Sequence, residues 1–301
     1  MPTLGFYILS YQPPDPVFLK LLARLREIPG AVIAVHHDYE QSDFPTEVIE
    51  QYQLQMVPQS RRTYWSHLNN VLATFDVLKV LYEHPNHVDW FVALTPGCYP
   101  IKKAEEIVQF FAEAKEDYYL DIREVTYKQP KIELDKWIAD GLYKEEMLKI
   151  PFLSKKGHFY WRSIYKERAQ EQLPFNDKFK LYHGSNWMMM NRKVVEKLWE
   201  DSPYHHALVN FYQKHIHGED QHPCPQEVII PSLIGNLKEV NGIVTENYRY
   251  IDWKEASDWH PNTLTIRHWE ALKTSDALWA RKFNFPESTE LLEKIDDELL
   301  S

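Results

Sequence analysis

The chain has 301 residues, and its hydrophobic content of 44% is enough to bury a sizeable core. Its formal net charge of -10 argues against a nucleic-acid partner, because an acidic surface repels phosphates. The aromatic content of 14% suits a carbohydrate site, where flat sugar faces stack on rings, although most such rings belong to hydrophobic cores.

The two cysteines, Cys98 and Cys224, give neither a disulfide framework nor zinc-finger spacing, and they favour a reducing setting. The first residues lack the basic start and apolar stretch of a signal peptide. No window approaches the ~20 apolar residues that a membrane span needs. We therefore expect a cytoplasmic protein without a transmembrane segment. If it contacts a membrane, we expect that contact to be peripheral.

The first forty residues predict a βαβ unit. An apolar run at residues 4–10 predicts a buried strand, and Asp15 followed by Pro16 predicts the start of a helix that ends near Ile28. Residues 31–35 predict a second buried strand. A strand, a helix and a strand at this spacing indicate a parallel sheet.

The following segments extend the same α/β pattern. They predict strands at 55–57 and 89–94 and helices at 66–82 and 104–114. In open α/β sheets ligands bind beyond the carboxyl ends of the strands, and residues 36–38 and 95–100 lie at such ends.

The C-terminal half has weaker signals. Residues 126–177 predict helices and loops, residues 181–190 a turn into a strand, and residues 192–199 a helix. Pro225 predicts the start of a helix through Ile234, and the acidic tail after Asn284 predicts another helix. No repeat or Gly/Ser-rich linker interrupts the chain, which predicts a single domain.

Eight segments, in chain order, carry a resemblance to one family. They are Tyr-Ile-Leu-Ser-Tyr at 7–11, His-His-Asp at 36–38, Tyr-Trp-Ser at 64–66, Leu-Thr-Pro-Gly-Cys-Tyr-Pro-Ile at 94–101, Gly-Ser-Asn-Trp at 184–187, Cys-Pro-Gln-Glu at 224–227, Arg-Tyr-Ile-Asp-Trp at 249–253 and Ala-Arg-Lys-Phe at 280–283. The set resembles the core-2/I-branching β-1,6-N-acetylglucosaminyltransferases of glycosyltransferase family 14, which include the peptide O-xylosyltransferases. Cys98, Gln226 and Val228 depart from the common family pattern. A cysteine at position 98 resembles the pattern of the plant and microbial branch.

The resemblance implies an α/β, GT-A-like single domain with a mixed central sheet. A Rossmann-like nucleotide-binding half would span about 1–125, an acceptor and catalytic half about 126–285, and a C-terminal helix 286–301. It also implies inverting transfer of a sugar from a UDP-sugar to a glycan hydroxyl. N-acetylglucosamine is the favoured sugar and xylose the other candidate.

Inverting transfer needs a carboxylate that deprotonates the attacking hydroxyl. The resemblance assigns this role to Glu227, although a glutamate near a helix start also stabilises the helix dipole. The chain has no Asp-x-Asp motif for a divalent ion. We expect no metal and no cofactor besides the donor, with Lys282 and Arg281 stabilising the leaving diphosphate and Arg267 as a weaker candidate.

Further contacts follow from the same resemblance. Asp38 and His36 are expected to contact the nucleotide. Trp253, Arg249, Ser185 and Trp187 are expected on the acceptor side.

Three alternatives remain open from the residues alone. The first is an inactive relative that binds a nucleotide-sugar or a glycan. The second is a metal-dependent hydrolase that uses the histidine-rich segment 215–222, which lacks fixed zinc spacing and is more typical of a polar loop. The third is a lectin-like module without a nucleotide site.

Overall fold

The strands and helices of the protein are taken from a computed structural model that describes residues 1–65, 67–124, 147–153, 159–165, 179–180, 182–199, 203–215, 224–243, 245–254 and 260–301. The strands are β1 (Leu4–Ser10), β2 (Val32–His37), β3 (Gln55–Met56), β4 (Trp90–Leu94), β5 (Cys98–Pro100), β6 (Tyr118–Tyr119), β7 (Ile122–Glu124), β8 (Met147–Leu153), β9 (Phe159–Tyr165), β10 (Tyr182–Gly184), β11 (Met189–Asn191), β12 (Gly242–Ile243), β13 (Arg249–Ile251) and β14 (Trp279–Arg281). The helices are α1 (Pro16–Arg26), α2 (Thr46–Gln51), α3 (Leu68–Tyr82), α4 (Ala104–Ala112), α5 (Arg192–Trp199), α6 (Pro203–His215), α7 (Ile229–Gly235), α8 (Trp269–Lys273) and α9 (Thr289–Glu298), with 3₁₀ turns at Pro225–Glu227 and Ile266–His268.

A seven-stranded sheet has the order β12-β6-β11-β4-β1-β2-β3. Strands β4, β1, β2 and β3 are parallel to one another, whereas β11 is antiparallel to both β4 and β6. The predicted α/β class with a mixed central sheet is confirmed. The chain leaves β1 for β2 on one side and returns to β4 on the other, so the carboxyl ends of β1 and β4 flank a topological switch point.

Strand β1 is apolar from Leu4 to Leu9 because it is buried on both faces. Leu4, Phe6 and Ile8 belong to a core layer that includes α1, whereas Tyr7 belongs to the layer that includes α3. Successive side chains point to opposite faces of a strand, and a parallel sheet covered on both sides therefore reads as a continuous apolar run.

Helix α1 begins as the sequence predicts. The side chain of Asp15 accepts a hydrogen bond of 2.8 Å from the backbone N–H of Phe18, and Pro16 occupies the first helical position. Such a cap satisfies an N–H that the helix itself leaves unpaired.

The predicted helix from Pro225 to Ile234 is wrong at its start. The chain forms a 3₁₀ turn over Pro225–Glu227, and α7 begins only at Ile229. Pro231 lacks the N–H that a continuous helix would donate to the carbonyl of Glu227, so the two segments separate at Val228.

The predicted helices and loops of 126–177 are wrong where β8 and β9 pair as an antiparallel hairpin. The aromatic and β-branched run Phe-Tyr-Trp-Arg-Ser-Ile-Tyr of β9 is typical of a strand. The rest of that prediction, and all of the histidine-rich segment 215–222 except His215, lie outside the described residues.

The C-terminal helix α9 is tied to the N-terminal half by one carboxylate. Asp296 accepts hydrogen bonds of 2.7 Å from the hydroxyl of Tyr99 and from Nζ of Lys20, and it forms an ion pair of 2.8 Å with Arg24. Burial alone would raise the pKa of Asp296, but these donors outweigh it and lower the pKa. Within the described ranges no helix has both the length and the hydropathy to span a membrane.

Candidate functional site

Glu227 lies in the 3₁₀ turn ahead of α7, with 26% of its side chain exposed. Its Oε2 is 3.0 Å from Nε2 of His183, a residue of β10 whose side chain is only 9% exposed. Cys224, at φ 45°, directs the chain into the turn, and the N–H of Glu227 donates to the carbonyl of Cys224 at 2.9 Å. The predicted base is thus an accessible carboxylate beside a buried imidazole.

Strand β10 leads directly into the predicted Gly-Ser-Asn-Trp segment. The hydroxyl oxygen of Ser185 accepts hydrogen bonds from the N–H of Trp187 at 3.1 Å and from the side-chain amide of Asn247 at 3.2 Å. Asn247 in turn accepts a bond of 3.1 Å from the N–H of Arg249. Ser185 therefore links the segment that carries Trp187 to strand β13.

Two guanidinium groups lie close to the ring of Trp187. The Cζ atom of Arg281 is 3.9 Å and that of Arg249 is 5.2 Å from the centroid of its ring. Both side chains lie on the small sheet β13-β14-β5, in which Arg281 pairs with Cys98 of β5. Three predicted site residues from distant parts of the sequence thus meet around one indole.

Arg249 is buried. Its Nη1 and Nη2 donate to the carbonyl of Ala93 in β4 at 3.0 and 2.9 Å. Burial lowers its pKa, and the nearby side chains of Cys98 and Tyr7 oppose that shift. This position joins the small sheet to the central sheet, and a direct acceptor contact of Arg249 stays a prediction.

Lys282 lies beside the loop after β4, at the switch point. A Cβ atom on Gly97 would lie 3.6 Å from Cγ of Lys282 and 3.0 Å from the carbonyl oxygen of Phe283. The N–H of Phe283 donates to the carbonyl of Gly97 at 2.9 Å. The absence of a side chain at position 97 therefore permits the close approach that places Lys282 near the carboxyl end of β4.

Among the described residues these cations have no acidic partner. In the part of the chain that the structure describes, neither Arg249, Arg281 nor Lys282 forms an ion pair, and Nε of both arginines has no hydrogen-bond partner. Burial lowers the pKa of Arg281 to about 10, opposed by Cys98 and reinforced by Arg249. Burial and then repulsion from Arg281 lower the pKa of Lys282. Binding of an anion stabilises unpaired, partly desolvated cations of this kind.

Asp38 follows β2, at the same edge of the central sheet. Its Oδ2 accepts hydrogen bonds from the N–H of Thr63 at 2.6 Å and from the side-chain amide of Gln41 at 2.5 Å, and its Oδ1 accepts one from the N–H of Glu40 at 3.1 Å. Burial alone would raise the pKa of Asp38, but these bonds prevail and lower it. The buried carboxylate fixes the segments around the strand end, and a direct nucleotide contact stays a prediction.

His36, also fully buried, holds the same segment. Its Nε2 accepts a hydrogen bond of 2.9 Å from the N–H of Arg61, which places the ring hydrogen of the neutral imidazole on Nδ1. Nδ1 has no partner among the described residues. Burial lowers the pKa of His36 and so favours this neutral form.

Trp253 is 54% exposed and follows β13, where a sugar face could stack on it. Its neighbour Asp252 accepts hydrogen bonds from the side chains of Asn262 at 2.8 Å and His268 at 3.2 Å, which anchor the backbone beside Trp253. Arg267 is exposed on the 3₁₀ turn that contains His268. Both predicted residues therefore lie at the surface of the same substructure.

Sequence reasoning missed His183, Thr63 and Gln41. His183 precedes a recognised motif and had no pattern of its own. Thr63 and Gln41 act through the side chain of Asp38, which only the fold reveals. No signal in the sequence joins His183 to a glutamate 44 positions away.

Comparison with known proteins agrees with the motifs. The chain is 26% identical over 236 residues to beta-glucuronosyltransferase GlcAT14B of Arabidopsis thaliana, covering 76% of this chain and 48% of that protein. It is 25% identical over 219 residues to GlcAT14A of the same plant, covering 71% and 43%. The chain thus spans about half the length of the curated relatives it matches.

Among solved structures, 4-diphosphocytidyl-2C-methyl-D-erythritol synthase from Anaerococcus prevotii matches with a TM-score of 0.36 and 10% identity, covering 80% of this chain and 86% of that one. A similarity of this size supports no conclusion about activity. The model of the Core-2/I-branching enzyme family matches residues 5–279, nearly the whole chain. The protein therefore belongs to the Core-2/I-branching enzyme family of glycosyltransferases.

Proposed function

We propose that the protein is an inverting glycosyltransferase that moves a sugar from a UDP-sugar to a hydroxyl group of a glycan acceptor. The observation that carries this proposal is the pair of unpaired cations, Arg281 and Lys282, beside the switch point of the central sheet. Departure of UDP develops negative charge on the diphosphate. Fixed cations in a partly desolvated site stabilise such charge more than water does.

Glu227 is the proposed base. As the acceptor oxygen bonds to the anomeric carbon, the bond from that carbon to the diphosphate oxygen breaks and its electron pair leaves with UDP. The hydroxyl proton passes to Glu227. This assignment is supported by a carboxylate that is exposed enough to meet an acceptor, and general-base catalysis of this kind contributes about 10²–10⁴-fold in rate.

The cations are proposed to replace a divalent ion. Lys282 and Arg281 supply the positive charge that Mn²⁺ or Mg²⁺ gives in enzymes with an Asp-x-Asp motif, which this sequence lacks. Activity is therefore expected to persist in EDTA.

Glucuronic acid is the donor sugar that we propose first, ahead of N-acetylglucosamine and xylose, which the motifs suggested. The matching plant relatives are named β-glucuronosyltransferases. A glucuronate adds a carboxylate to the diphosphate. The unpaired cations at Arg249, Arg281 and Lys282 favour such a more anionic donor.

The test is a panel of UDP-glucuronic acid, UDP-N-acetylglucosamine and UDP-xylose, assayed for transfer and hydrolysis in EDTA. Wild type is compared with Glu227→Gln and Lys282→Ala. Glu227→Gln is expected to lose transfer while it retains UDP affinity, and Lys282→Ala to lose both. Glu270→Gln and Lys273→Ala, exposed substitutions on α8, are the matched controls.

Each alternative predicts a different result. UDP binding without transfer to any acceptor would indicate an inactive relative, and loss of activity in EDTA would indicate metal dependence. Full transfer activity of the Glu227→Gln variant would exclude Glu227 as the base. Preference for UDP-N-acetylglucosamine or UDP-xylose would replace only the donor assignment.

A further inference from the structure

In the described part of the chain, one oxygen of the Glu227 carboxylate, Oε2, has a hydrogen-bond partner and the other, Oε1, has none. An ionised carboxylate only accepts hydrogen bonds, so Nε2 of His183 carries the hydrogen of the 3.0 Å bond and donates it to Oε2. Oε1 has no hydrogen-bond partner within the described ranges of the chain. This division leaves one oxygen available to an incoming hydroxyl.

The strand that carries His183 is fixed to the helix that follows Glu227. The hydroxyl of Ser232 in α7 accepts a hydrogen bond of 3.0 Å from the N–H of Tyr182 and donates one of 3.1 Å to its carbonyl. The side chain of Asn236 bonds both the N–H and the carbonyl of Lys180, at 2.8 and 2.7 Å. Two of these bonds join β10 to α7, and the other two join Lys180, before β10, to Asn236, the C-cap of α7.

On its other side β10 packs closely against Asp121 and Ile122. A Cβ atom at Gly184 would lie 2.6 Å from the carbonyl oxygen of Asp121 and 2.3 Å from Cγ2 of Ile122, so the backbones of β10 and β7 are in close contact. His183, the residue before Gly184, is therefore placed by rigid backbone on both sides.

We propose that His183 is the positioning residue of the catalytic base. It donates to Oε2 of Glu227 and so fixes the plane of the carboxylate, which directs Oε1 toward the acceptor hydroxyl. The proton of that hydroxyl passes to Oε1, and His183 keeps its own proton throughout. The proposal rests on the proposed function, in which Glu227 is the base.

The experiment compares His183→Leu, His183→Asn and His183→Gln in steady-state transfer at saturating donor. The leucine side chain removes the donor, the short asparagine amide falls short of Oε2, and the glutamine amide reaches the position of Nε2. We expect kcat to fall about 10- to 100-fold for Leu and Asn, because a misplacement of about 1 Å has a cost of this size. We expect Gln to remain within about fivefold of wild type, and UDP affinity and acceptor KM to change less than threefold in all three.

Three results would overturn the proposal: kcat within twofold of wild type for both Leu and Asn, a Gln variant as slow as the Leu variant, or a loss confined to UDP affinity. The polar Asn variant keeps the test decisive if the Leu variant does not fold. Glu227→Gln, assayed in parallel, separates the two hypotheses. If Glu227→Gln retains transfer, the proposed function fails, whereas if it loses transfer and the His183 variants stay fast, only the positioning role fails.

Discussion

The guanidinium of Arg281 lies over the ring of Trp187, with Cζ 3.9 Å from the ring centroid. The indole thus holds in place a cation whose Nε has no hydrogen-bond partner in the described residues. The backbone N–H of Trp187 donates to the side chain of Ser185, which anchors the segment that carries the ring. Among the described residues the side chain of Arg281 is therefore positioned by an aromatic ring and not by a carboxylate. In the proposed function a carboxylate there would compete with the diphosphate for the charge of Arg281.

Replacing Trp187 is expected to weaken UDP binding. A cation over an aromatic ring gains about 0.5–2 kcal/mol, so Trp187→Leu is expected to raise the Kd for UDP roughly 2- to 30-fold. Trp187→Phe retains an aromatic ring and is expected to lose less UDP affinity. Isothermal titration with UDP measures both, and equal affinities for wild type and the leucine variant would show that the stack does not position Arg281.

The lowered pKa of Lys282 predicts an alkaline limit to UDP binding. Only the protonated amine attracts the diphosphate, and burial and Arg281 cause the proton to leave below the ordinary lysine pKa of 10.5. Affinity is therefore expected to be constant near neutral pH and to fall as the pH rises through that lowered pKa. In Lys282→Arg the fall is expected at higher pH, because guanidinium keeps its proton longer.

The measurement is the Kd for UDP between neutral pH and about pH 10.5 for both proteins. The uracil imide and the guanidinium of Arg281, whose pKa is lowered to about 10, also lose protons on the alkaline side. Their contributions are common to wild type and variant and cancel in the ratio of the two Kd values. Identical profiles for the two proteins would rule out Lys282 as the titrating group.

The framework of the site could be predicted from the sequence, because it depends on local signals. Apolar runs predict β1 and β2, Asp15 and Pro16 predict the start of α1, and the order of these elements predicts the edge of the sheet at which residues 36–38 lie. These features follow from side-chain period and capping, which neighbouring residues determine.

The contacts inside the site could not be predicted, because they join residues far apart in the chain. The burial of Arg249 depends on the carbonyl of Ala93, and the internal bonding of Asp38 depends on Thr63. The 3₁₀ turn at Glu227 results from Pro231, whose effect reaches back by one helical turn. A motif identifies such residues without showing which of them face a ligand.

The exposed ring of Trp253 predicts an effect on the acceptor alone. Stacking of a sugar on a ring is comparable to an aromatic pair, about 0.5–1.5 kcal/mol, so Trp253→Ala is expected to raise acceptor KM roughly 2- to 12-fold. UDP affinity is expected to stay unchanged, since Asp252 and not Trp253 anchors this segment. Trp253→Phe is the ring-retaining control. An unchanged acceptor KM in the alanine variant would place the acceptor elsewhere.

Cys98 predicts opposite changes in stability and in donor affinity. The backbone of Cys98 pairs in register with that of Arg281. Its buried thiol lies close enough to Arg281 and Arg249 to influence the pKa of both guanidinium groups, without neutralising either. A carboxylate in Cys98→Asp would pair with cations that are already desolvated. We therefore expect the free energy of unfolding to rise by about 1.5–3 kcal/mol, the range of a hydrogen bond to a charged group.

The same carboxylate would compete with the diphosphate for Arg281, so UDP affinity is expected to fall several-fold in Cys98→Asp. Cys98→Ser, similar in size and uncharged, is the control for both measurements and is expected to change UDP affinity little. Thermal unfolding and titration with UDP give the two quantities on the same samples. If the aspartate variant binds UDP as tightly as wild type, a permanent counter-ion beside Arg281 has no effect on binding. That result would show that the charge of Arg281 does not contribute to UDP affinity.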